Sequence, residues 1–157
     1  MKRNRAVAII MNEQNIVLIH RIEDGKEYYI FPGGGVESGE TVEQAVVREV
    51  REETSLEVTI DKLLYHHILD DDTEHFFYLC TYTSGDLKLG EGNELQEMRE
   101  SEKHFYNPVW CSIETLPQLL LYPLEIRDWL LEDIKTHFTQ VPRAATLRVT
   151  DLRQTLS

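Results

Sequence analysis

Cysteine is scarce in this sequence, which has only two, Cys80 and Cys111, among 157 residues. Both lie in β-like segments, so we expect buried thiols rather than the disulfide framework of a small secreted domain. Long apolar runs are also missing, because none approaches the roughly 20 residues of a membrane span. The basic start at Lys2 leads into an apolar run over residues 6–11 that is too short for a signal peptide. These absences predict a cytoplasmic protein that does not cross a membrane.

Basic residues are also fewer than acidic ones. The chain has 16 Lys and Arg residues against 28 Asp and Glu residues, which gives a net charge of −12. Such an excess repels both a nucleic-acid backbone and an anionic membrane, so we expect neither as a partner. A small phosphorylated metabolite stays compatible with this charge, because a bound divalent cation inverts the local potential where carboxylates converge.

Length and composition are typical of one globular domain. The chain has 157 residues, of which 41% are hydrophobic and 28% charged, close to the average for soluble domains. We place the domain at residues 1–140 and treat residues 141–157 as a C-terminal tail. The sequence leaves three structures open for that tail: a strand, a helix or a flexible segment.

The chain contains both helical and β-like segments, and we expect an α/β fold. A stretch without Gly or Pro predicts a helix over residues 41–54, with Thr41 as its cap and Gln44 three residues later. Residues 113–121 predict a short helix, and residues 123–138 a longer one with Pro in its first turn. The strand segments are residues 6–11, 16–20, 27–31, 56–70, 74–83 and 107–111. Apolar stripes on the helix over residues 41–54 and on the helix over residues 123–138 predict an α/β/α sandwich with a mixed sheet.

A glycine loop precedes the first helix. Pro32 ends a strand, and Gly33, Gly34 and Gly35 follow. Such a loop lets backbone N–H groups and the positive end of the helix approach a phosphate. It lacks the Gly-Lys-Ser/Thr ending of a P-loop, so alone it is a weak phosphate signal. We take Gly34 and Gly35 as candidate substrate-binding residues.

Three glutamates of the helix share one face. Glu49, Glu52 and Glu53 stand at positions i, i+3 and i+4, which places their Cβ atoms within about 5–6 Å of each other. Carboxylates crowded in this way repel each other, and hard oxygen ligands at this density suit Mg²⁺ or Mn²⁺. An acidic helix face exposed to solvent would give the same pattern. The glycine loop just before the helix favours the metal site.

Residues 34–56 closely resemble the Nudix box: glycine, five residues, glutamate, seven residues, then Arg-Glu-aliphatic-x-Glu-Glu-x-Gly-aliphatic. The matching residues are Gly34, Glu40, Arg48, Glu49, Val50, Glu52, Glu53 and Leu56. Ser55 departs from the pattern, which has glycine there. A left-handed helix end would cost serine about 1 kcal/mol relative to glycine, and a different exit would avoid that cost. Segments around the box extend the resemblance over residues 5–138.

The resemblance implies a divalent-metal-dependent hydrolase that cleaves a pyrophosphate bond in a nucleotide-like substrate by attack of water on phosphorus. The implied ligands of Mg²⁺ or Mn²⁺ are Glu49, Glu52, Glu53 and a backbone carbonyl of Gly33 or Gly34. Arg48 would orient the glutamates through charged hydrogen bonds, a role that suits its planar fork. A catalytically inactive Nudix-like nucleotide-binding or sensor module is the alternative, and the intact glutamates argue against it.

The general base has several candidates. Glu49 or Glu52 is the candidate within the box, and Glu94 or Glu97 in a later polar segment would supply a base or an extra ligand. Ordinary surface charge is the competing interpretation of that later pair. Glu40 is expected to support the loop and the helix ends, with direct metal contact as its alternative.

Substrate recognition is less well defined. Arg21 is a candidate phosphate ligand, although an exposed arginine explains the position equally well. Tyr28 is a candidate for stacking on a base, but strand alternation places one or two of Tyr28, Tyr29 and Phe31 in the core. The family acts on many substrates with one scaffold, and the downstream proline associated with ADP-ribose relatives is absent here. A homodimer is expected from the unassigned tail and the family's habit.

Overall fold

A mixed β-sheet with a helix on each face forms the protein, whose computed structural model describes residues 3–88 and 104–150. The strands are β1 (Arg5–Asn12), β2 (Asn15–Glu23), β3 (Lys26–Ile30), β4 (Gly33–Gly35), β5 (Glu57–Leu69), β6 (Glu74–Ser84), β7 (His104–Ser112), β8 (Leu121–Tyr122) and β9 (Arg143–Leu147). The helices are α1 (Val42–Thr54), a 3₁₀ turn (Ile113–Gln118) and α2 (Leu124–Lys135). Every strand segment predicted from the sequence is present.

Strand β1 lies at the centre of the sheet. It pairs in parallel with β6 and antiparallel with the short glycine strand β4, and it forms a hairpin with β2. The strand order is β8-β3-β2-β1-β6-β5-β9, and β7 pairs with β2 along its length. Parallel pairs (β1 with β6, β3 with β8, β5 with β9) and antiparallel pairs therefore coexist, so the sheet is mixed, as predicted.

The two helices bury their apolar faces on opposite sides of the sheet. Alternate residues of β1 point to opposite faces: Ala8 belongs to the core that contains α1, and Ile9 to the core that contains α2. Helix α1 contributes Val46 and Val50 to the first core, and α2 contributes Leu130 to the second. The predicted sandwich is confirmed. Cys80 is a buried free thiol and Cys111 a half-buried one.

Helix α1 begins and ends with local signals. The Thr41 hydroxyl accepts a hydrogen bond from the Gln44 backbone N–H (3.1 Å), and the Gln44 side chain accepts one from the Thr41 N–H (2.9 Å). This capping box satisfies two otherwise unpaired N–H groups. Ser55 ends the helix in the left-handed conformation, with φ 66° and ψ 12°. The predicted helix and its cap are confirmed. The helix ends in the left-handed conformation, which disfavours serine relative to glycine.

The C-terminal helix is shorter than the sequence predicted. Pro123 is the N-cap of α2 rather than part of its first turn, and the helix ends at Lys135 instead of residue 138. His137 and Phe138 have positive φ values (54° and 62°), which a continuing helix does not allow. Within residues 3–88 and 104–150, no helix has the length and apolar character that crossing a membrane requires.

Part of the predicted tail belongs to the sheet. Residues Arg143–Leu147 form β9, which runs parallel to β5. The Arg143 guanidinium donates to the fully buried Asp133 carboxylate (2.6 Å), which also accepts a hydrogen bond from the Tyr65 hydroxyl (2.7 Å). Of the three structures that the sequence left open, residues 143–147 adopt the strand.

Candidate active site

The glycine loop is held against the central strand. In the β1–β4 ladder, Val7 pairs with Gly33 and Ala6 with Gly34. A Cβ atom on Gly33 would lie 2.5 Å from the Ala6 carbonyl oxygen and 2.9 Å from the Val7 Cα. Both are backbone atoms that cannot move aside. The close approach of the two strands therefore requires glycine at position 33.

Two charged side chains lie over the next two glycines. A Cβ on Gly34 would lie 2.4 Å from the Cδ and Oε1 atoms of Glu49, and a Cβ on Gly35 would lie 2.8 Å from the Cζ atom of Arg3. The missing side chains thus leave space for one carboxylate and one guanidinium. The glycine loop therefore provides the space in which Glu49 and Arg3 pack, in addition to forming a turn.

Arg48 is the centre of a hydrogen-bond network that joins the loop to the helix. The acceptors are Glu40 Oε2 (2.7 Å from Nε), Glu40 Oε1 (2.9 Å from Nη2), Gly35 O (3.0 Å from Nη2), Glu49 Oε1 (2.8 Å from Nη1) and Glu52 Oε2 (3.2 Å from Nη1). A guanidinium has five N–H donors. These contacts engage all of them, so Arg48 is committed to the protein itself.

Glu40 braces the loop against the helix. Its two oxygens accept the bidentate pair from Arg48, and Oε1 also accepts the Glu37 backbone N–H (3.0 Å). The hydrogen bonds from Arg48 are the main reason that the pKa of Glu40 lies below its usual value. The same bonds raise the pKa of Arg48. Both groups are therefore ionised across the physiological range.

The three box carboxylates all lie near the glycine loop but have different surroundings. Glu49 sits over Gly34, and Glu53 is buried (6% exposed) and accepts the Gly33 backbone N–H at 3.3 Å. The Glu52 side chain is 46% exposed and shares the Arg48 Nη1 donor with Glu49. In the part of the chain that is described, no three acidic, His or Cys side chains converge into a complete metal site. The ligand roles of these glutamates stay predictions.

The donor set nevertheless fits a divalent cation. Carboxylate oxygens and backbone carbonyls are the ligands that Mg²⁺ and Mn²⁺ prefer. Glu49 and Glu53 both reach the loop, one over Gly34 and one at the Gly33 N–H. The exposed Glu52 would join them through its Oε1, since its 3.2 Å hydrogen bond from Arg48 uses Oε2. Arg51 does not compete for these carboxylates, because it binds Glu57 through two hydrogen bonds (2.6 and 2.9 Å).

Arg21 and Tyr28 lie in an aromatic cluster. The Arg21 guanidinium is 4.1 Å from the Tyr106 ring centroid and 5.4 Å from that of Tyr28, and its Nη2 donates to the Tyr106 hydroxyl. Tyr28 is 3% exposed, and its hydroxyl donates to Glu23 (2.9 Å). Arg21 is therefore half-buried, and stacking of a base on Tyr28 would require its ring to be uncovered. Substrate roles for both residues stay predictions.

The later acidic candidates, Glu94 and Glu97, lie outside the described residues. Their roles as a base or an extra ligand therefore stay predictions. Tyr106, which the sequence did not single out, is placed beside Arg21 by the β2–β7 register, in which the two residues are direct partners.

Comparison with known proteins identifies the family. The family model described as NUDIX domain matches residues 1–131. The chain belongs to the Nudix family. A protein of Caenorhabditis elegans named putative nudix hydrolase 1 is 31% identical over 161 residues, which cover 97% of this chain and 40% of that protein.

Two further relatives support the assignment. An ADP-ribose pyrophosphatase of Methanocaldococcus jannaschii is 39% identical over 89 residues, covering 53% of each protein. A solved structure from a study of MutT from Aliivibrio salmonicida and Vibrio cholerae is 27% identical with a TM-score of 0.62, covering 85% of this chain and 95% of that one. The chain spans about half the length of the curated relatives named here. The predicted family and the Nudix-type α/β fold are thus both confirmed.

Proposed function

We propose that this chain is a Nudix hydrolase that uses Mg²⁺ or Mn²⁺ to cleave a pyrophosphate bond by attack of water on phosphorus. The observation that carries the proposal is the placement of Glu49 and Glu52 on one nitrogen of Arg48, directly beside the glycine loop. Glu53 contacts the same loop, because its carboxylate accepts a hydrogen bond from the Gly33 N–H. A solvent-exposed acidic face would need neither the arginine network nor the fitted glycines.

Each residue of the site has a separate task in this proposal. Glu49, Glu52, Glu53 and the carbonyl of Gly34 would hold the cation, which when bound supplies positive charge for the phosphate oxygens and lowers the pKa of water. Arg48 positions Glu49 and Glu52, and Glu40 positions Arg48. Glu49, Glu52 and Glu94 are the candidates for accepting the proton of the attacking water.

The substrate proposed is a nucleoside diphosphate linked to another group or a nucleoside triphosphate. One relative is named for ADP-ribose, whereas another bacterial relative is named 8-oxo-dGTP diphosphatase. The proline that marks ADP-ribose relatives is absent between Leu56 and Asn107. Both classes carry the P–O–P bond that the site is proposed to cleave, and the group beyond the phosphates distinguishes them.

A substrate panel tests the proposal. Purified protein would be incubated with ADP-ribose, 8-oxo-dGTP, the unmodified nucleoside triphosphates and dinucleotides, each with Mg²⁺, Mn²⁺ or excess chelator, and the products identified by mass spectrometry. We expect metal-dependent cleavage of at least one compound at its P–O–P bond. A Glu57→Gln variant removes a carboxylate outside the box and should keep the wild-type rate. Tight nucleotide binding without turnover under every condition would overturn the proposal in favour of the inactive binding module.

Partners and location are separate proposals. A homodimer and the exclusion of long nucleic acids stay predictions, as does a cytoplasmic location. Analytical ultracentrifugation at micromolar concentration tests the first, and a species of monomer mass alone would reject it. Electrophoretic mobility of single- and double-stranded DNA tests the second, and we expect no shift because the chain carries a net charge of −12.

A further inference from the structure

Arg3 lies flat on the glycine loop. A Cβ on Gly35 would lie 2.8 Å from its Cζ, 2.9 Å from its Nη2 and 3.0 Å from its Nε, so the guanidinium fills the space of the missing side chain. The Arg3 Nε donates to the Val36 carbonyl (3.3 Å), and the Val36 N–H donates to the Asn4 carbonyl (2.8 Å). The N-terminal segment and the loop thus hold this guanidinium in one place.

The neighbouring arginine has no donor to offer a substrate. All five N–H groups of Arg48 are engaged by Glu40, Glu49, Glu52 and the Gly35 carbonyl. Binding a phosphate through Arg48 would require it to release a carboxylate or that carbonyl. A diphosphate that enters beside four glutamates adds further negative charge, so a cation other than Arg48 that faces it would stabilise the bound substrate in addition to any metal.

Arg3 has the free donors that Arg48 lacks. Its one described hydrogen bond uses Nε, and among residues 3–88 and 104–150 its guanidinium enters no ion pair. Gly35 lies between the two arginines, since its carbonyl accepts from Arg48 while its side-chain position is occupied by Arg3. The side chain of Arg3 is exposed. Its Nη1 and Nη2 groups are therefore available to a ligand at the loop.

We propose that Arg3 binds the phosphate chain of the substrate, with Nη1 and Nη2 donating to non-bridging phosphate oxygens. The planar fork of a guanidinium matches two such oxygens. This inference rests on the proposed hydrolase function and extends it to a residue outside the box. Because the contact is present both before and during the reaction, its loss weakens substrate binding more than it slows the chemical step.

An Arg3→Gln variant tests the contact. We expect KM to rise about tenfold and kcat to change less than about threefold, as for the loss of one charge-assisted contact. The dissociation constant of α,β-methylene-ADP with Mg²⁺, measured by calorimetry, should rise by the same factor. Arg51→Gln removes the same charge from a residue bound to Glu57 and should leave both constants at the wild-type value.

A second variant separates binding from support of the loop. Because Arg3 occupies the side-chain position of Gly35, Arg3→Gln combined with Gly35→Lys returns a cation to the same side of the loop, within reach of a flexible lysine side chain. We expect this double variant to recover most of the lost affinity. If Arg3 only fastened the loop through Val36, the double variant would stay as weak as Arg3→Gln, and the inference would be wrong.

The two proposals fail in different ways. Unchanged KM and unchanged affinity in Arg3→Gln would overturn the role of Arg3 while wild-type turnover upholds the hydrolase. Binding of the analogue by wild type without turnover of any substrate would overturn the hydrolase, and the calorimetric comparison would still decide Arg3. If wild type turns over a substrate without binding the analogue, KM alone decides the role of Arg3. Absence of both analogue binding and turnover in the wild-type protein would overturn both proposals.

Discussion

The carboxylate of Glu49 occupies the space that a side chain on Gly34 would need. A Cβ there would lie 2.4 to 2.6 Å from its Cδ and both oxygens. The same carboxylate is fixed by Arg48 Nη1 at 2.8 Å. The approach of the loop to the helix is therefore set by one residue without a side chain and one carboxylate that fills its place.

Gly34→Ala should disable the site without unfolding the protein. The new methyl group displaces the end of a flexible side chain rather than backbone, so the fold should survive. A displaced Glu49 should lower turnover by about a hundredfold, the effect of an ångström-scale misplacement in an active site. Turnover and thermal unfolding would be measured together. Gly25→Ala is the control for strain alone: a Cβ there meets nothing within 4 Å, but the positive φ of 81° disfavours alanine, so this variant should lose some stability and keep its turnover. Near-normal turnover by Gly34→Ala would contradict the proposed coupling.

Glu52→Gln and Glu53→Gln should each lower metal-dependent turnover by about 10²–10⁴-fold while the protein stays folded. Glutamine keeps the size and an acceptor oxygen, so the bond from the Gly33 N–H to residue 53 can persist. The double variant should be scarcely worse than either single one, because both substitutions damage one metal cluster. Rates against Mg²⁺ concentration and Mn²⁺ binding by electron paramagnetic resonance check this. Near-normal rates in both folded single variants would refute the site.

The contribution of Glu40 to stability should depend on pH. Hydrogen bonds from Arg48 lower the pKa of folded Glu40 below its usual 4.5. A depressed carboxyl pKa stabilises the fold above the unfolded pKa, and this stabilisation is lost as pH falls through the folded value. Glu40→Gln should therefore lower the free energy of unfolding by roughly 1–2 kcal/mol at pH 7 and progressively less below pH 4.5. Urea titrations at several pH values measure the difference, and a difference independent of pH would contradict the pairing.

Ser55→Gly should stabilise the protein and leave activity within a few fold. Ser55 has φ 66°, a conformation in which glycine is favoured by about 1 kcal/mol, less the cost of a more flexible unfolded chain. The substitution alters no carboxylate. Unfolding temperature and kcat/KM would be compared with wild type. A loss of activity beyond about a hundredfold would show that Ser55 takes part in the mechanism.

The box could be predicted from sequence because its determinants are local. The helix, its Thr41 cap and the shared face of Glu49 and Glu52 follow from spacings of a few residues. The family pattern located Gly34 in the same way. The position of Arg3 could not be predicted, because its contact with Val36 spans 33 residues and depends on the pairing of β1 with β4.

Two other differences have the same origin. Tyr106 meets Arg21 across 85 residues, through the register of β2 with β7. The sequence offered Arg21 as a candidate phosphate ligand or an exposed arginine, and neither interpretation included its burial against an aromatic ring. Helix α2 ends early because residues 137 and 138 adopt positive φ values. The sequence has no Gly or Pro at these positions that would have predicted the end of the helix.

Strand β9 pairs in parallel with β5 and covers the edge of the sheet that β5 would otherwise expose. Without it, residues 65–69 would present a bare row of N–H and C=O groups beside the exposed Ile68, a template for pairing between molecules. The buried Asp133 would also lose Arg143 as its partner. A protein cut after residue 140 would retain every box residue and the whole region that matches the family model, yet it should aggregate.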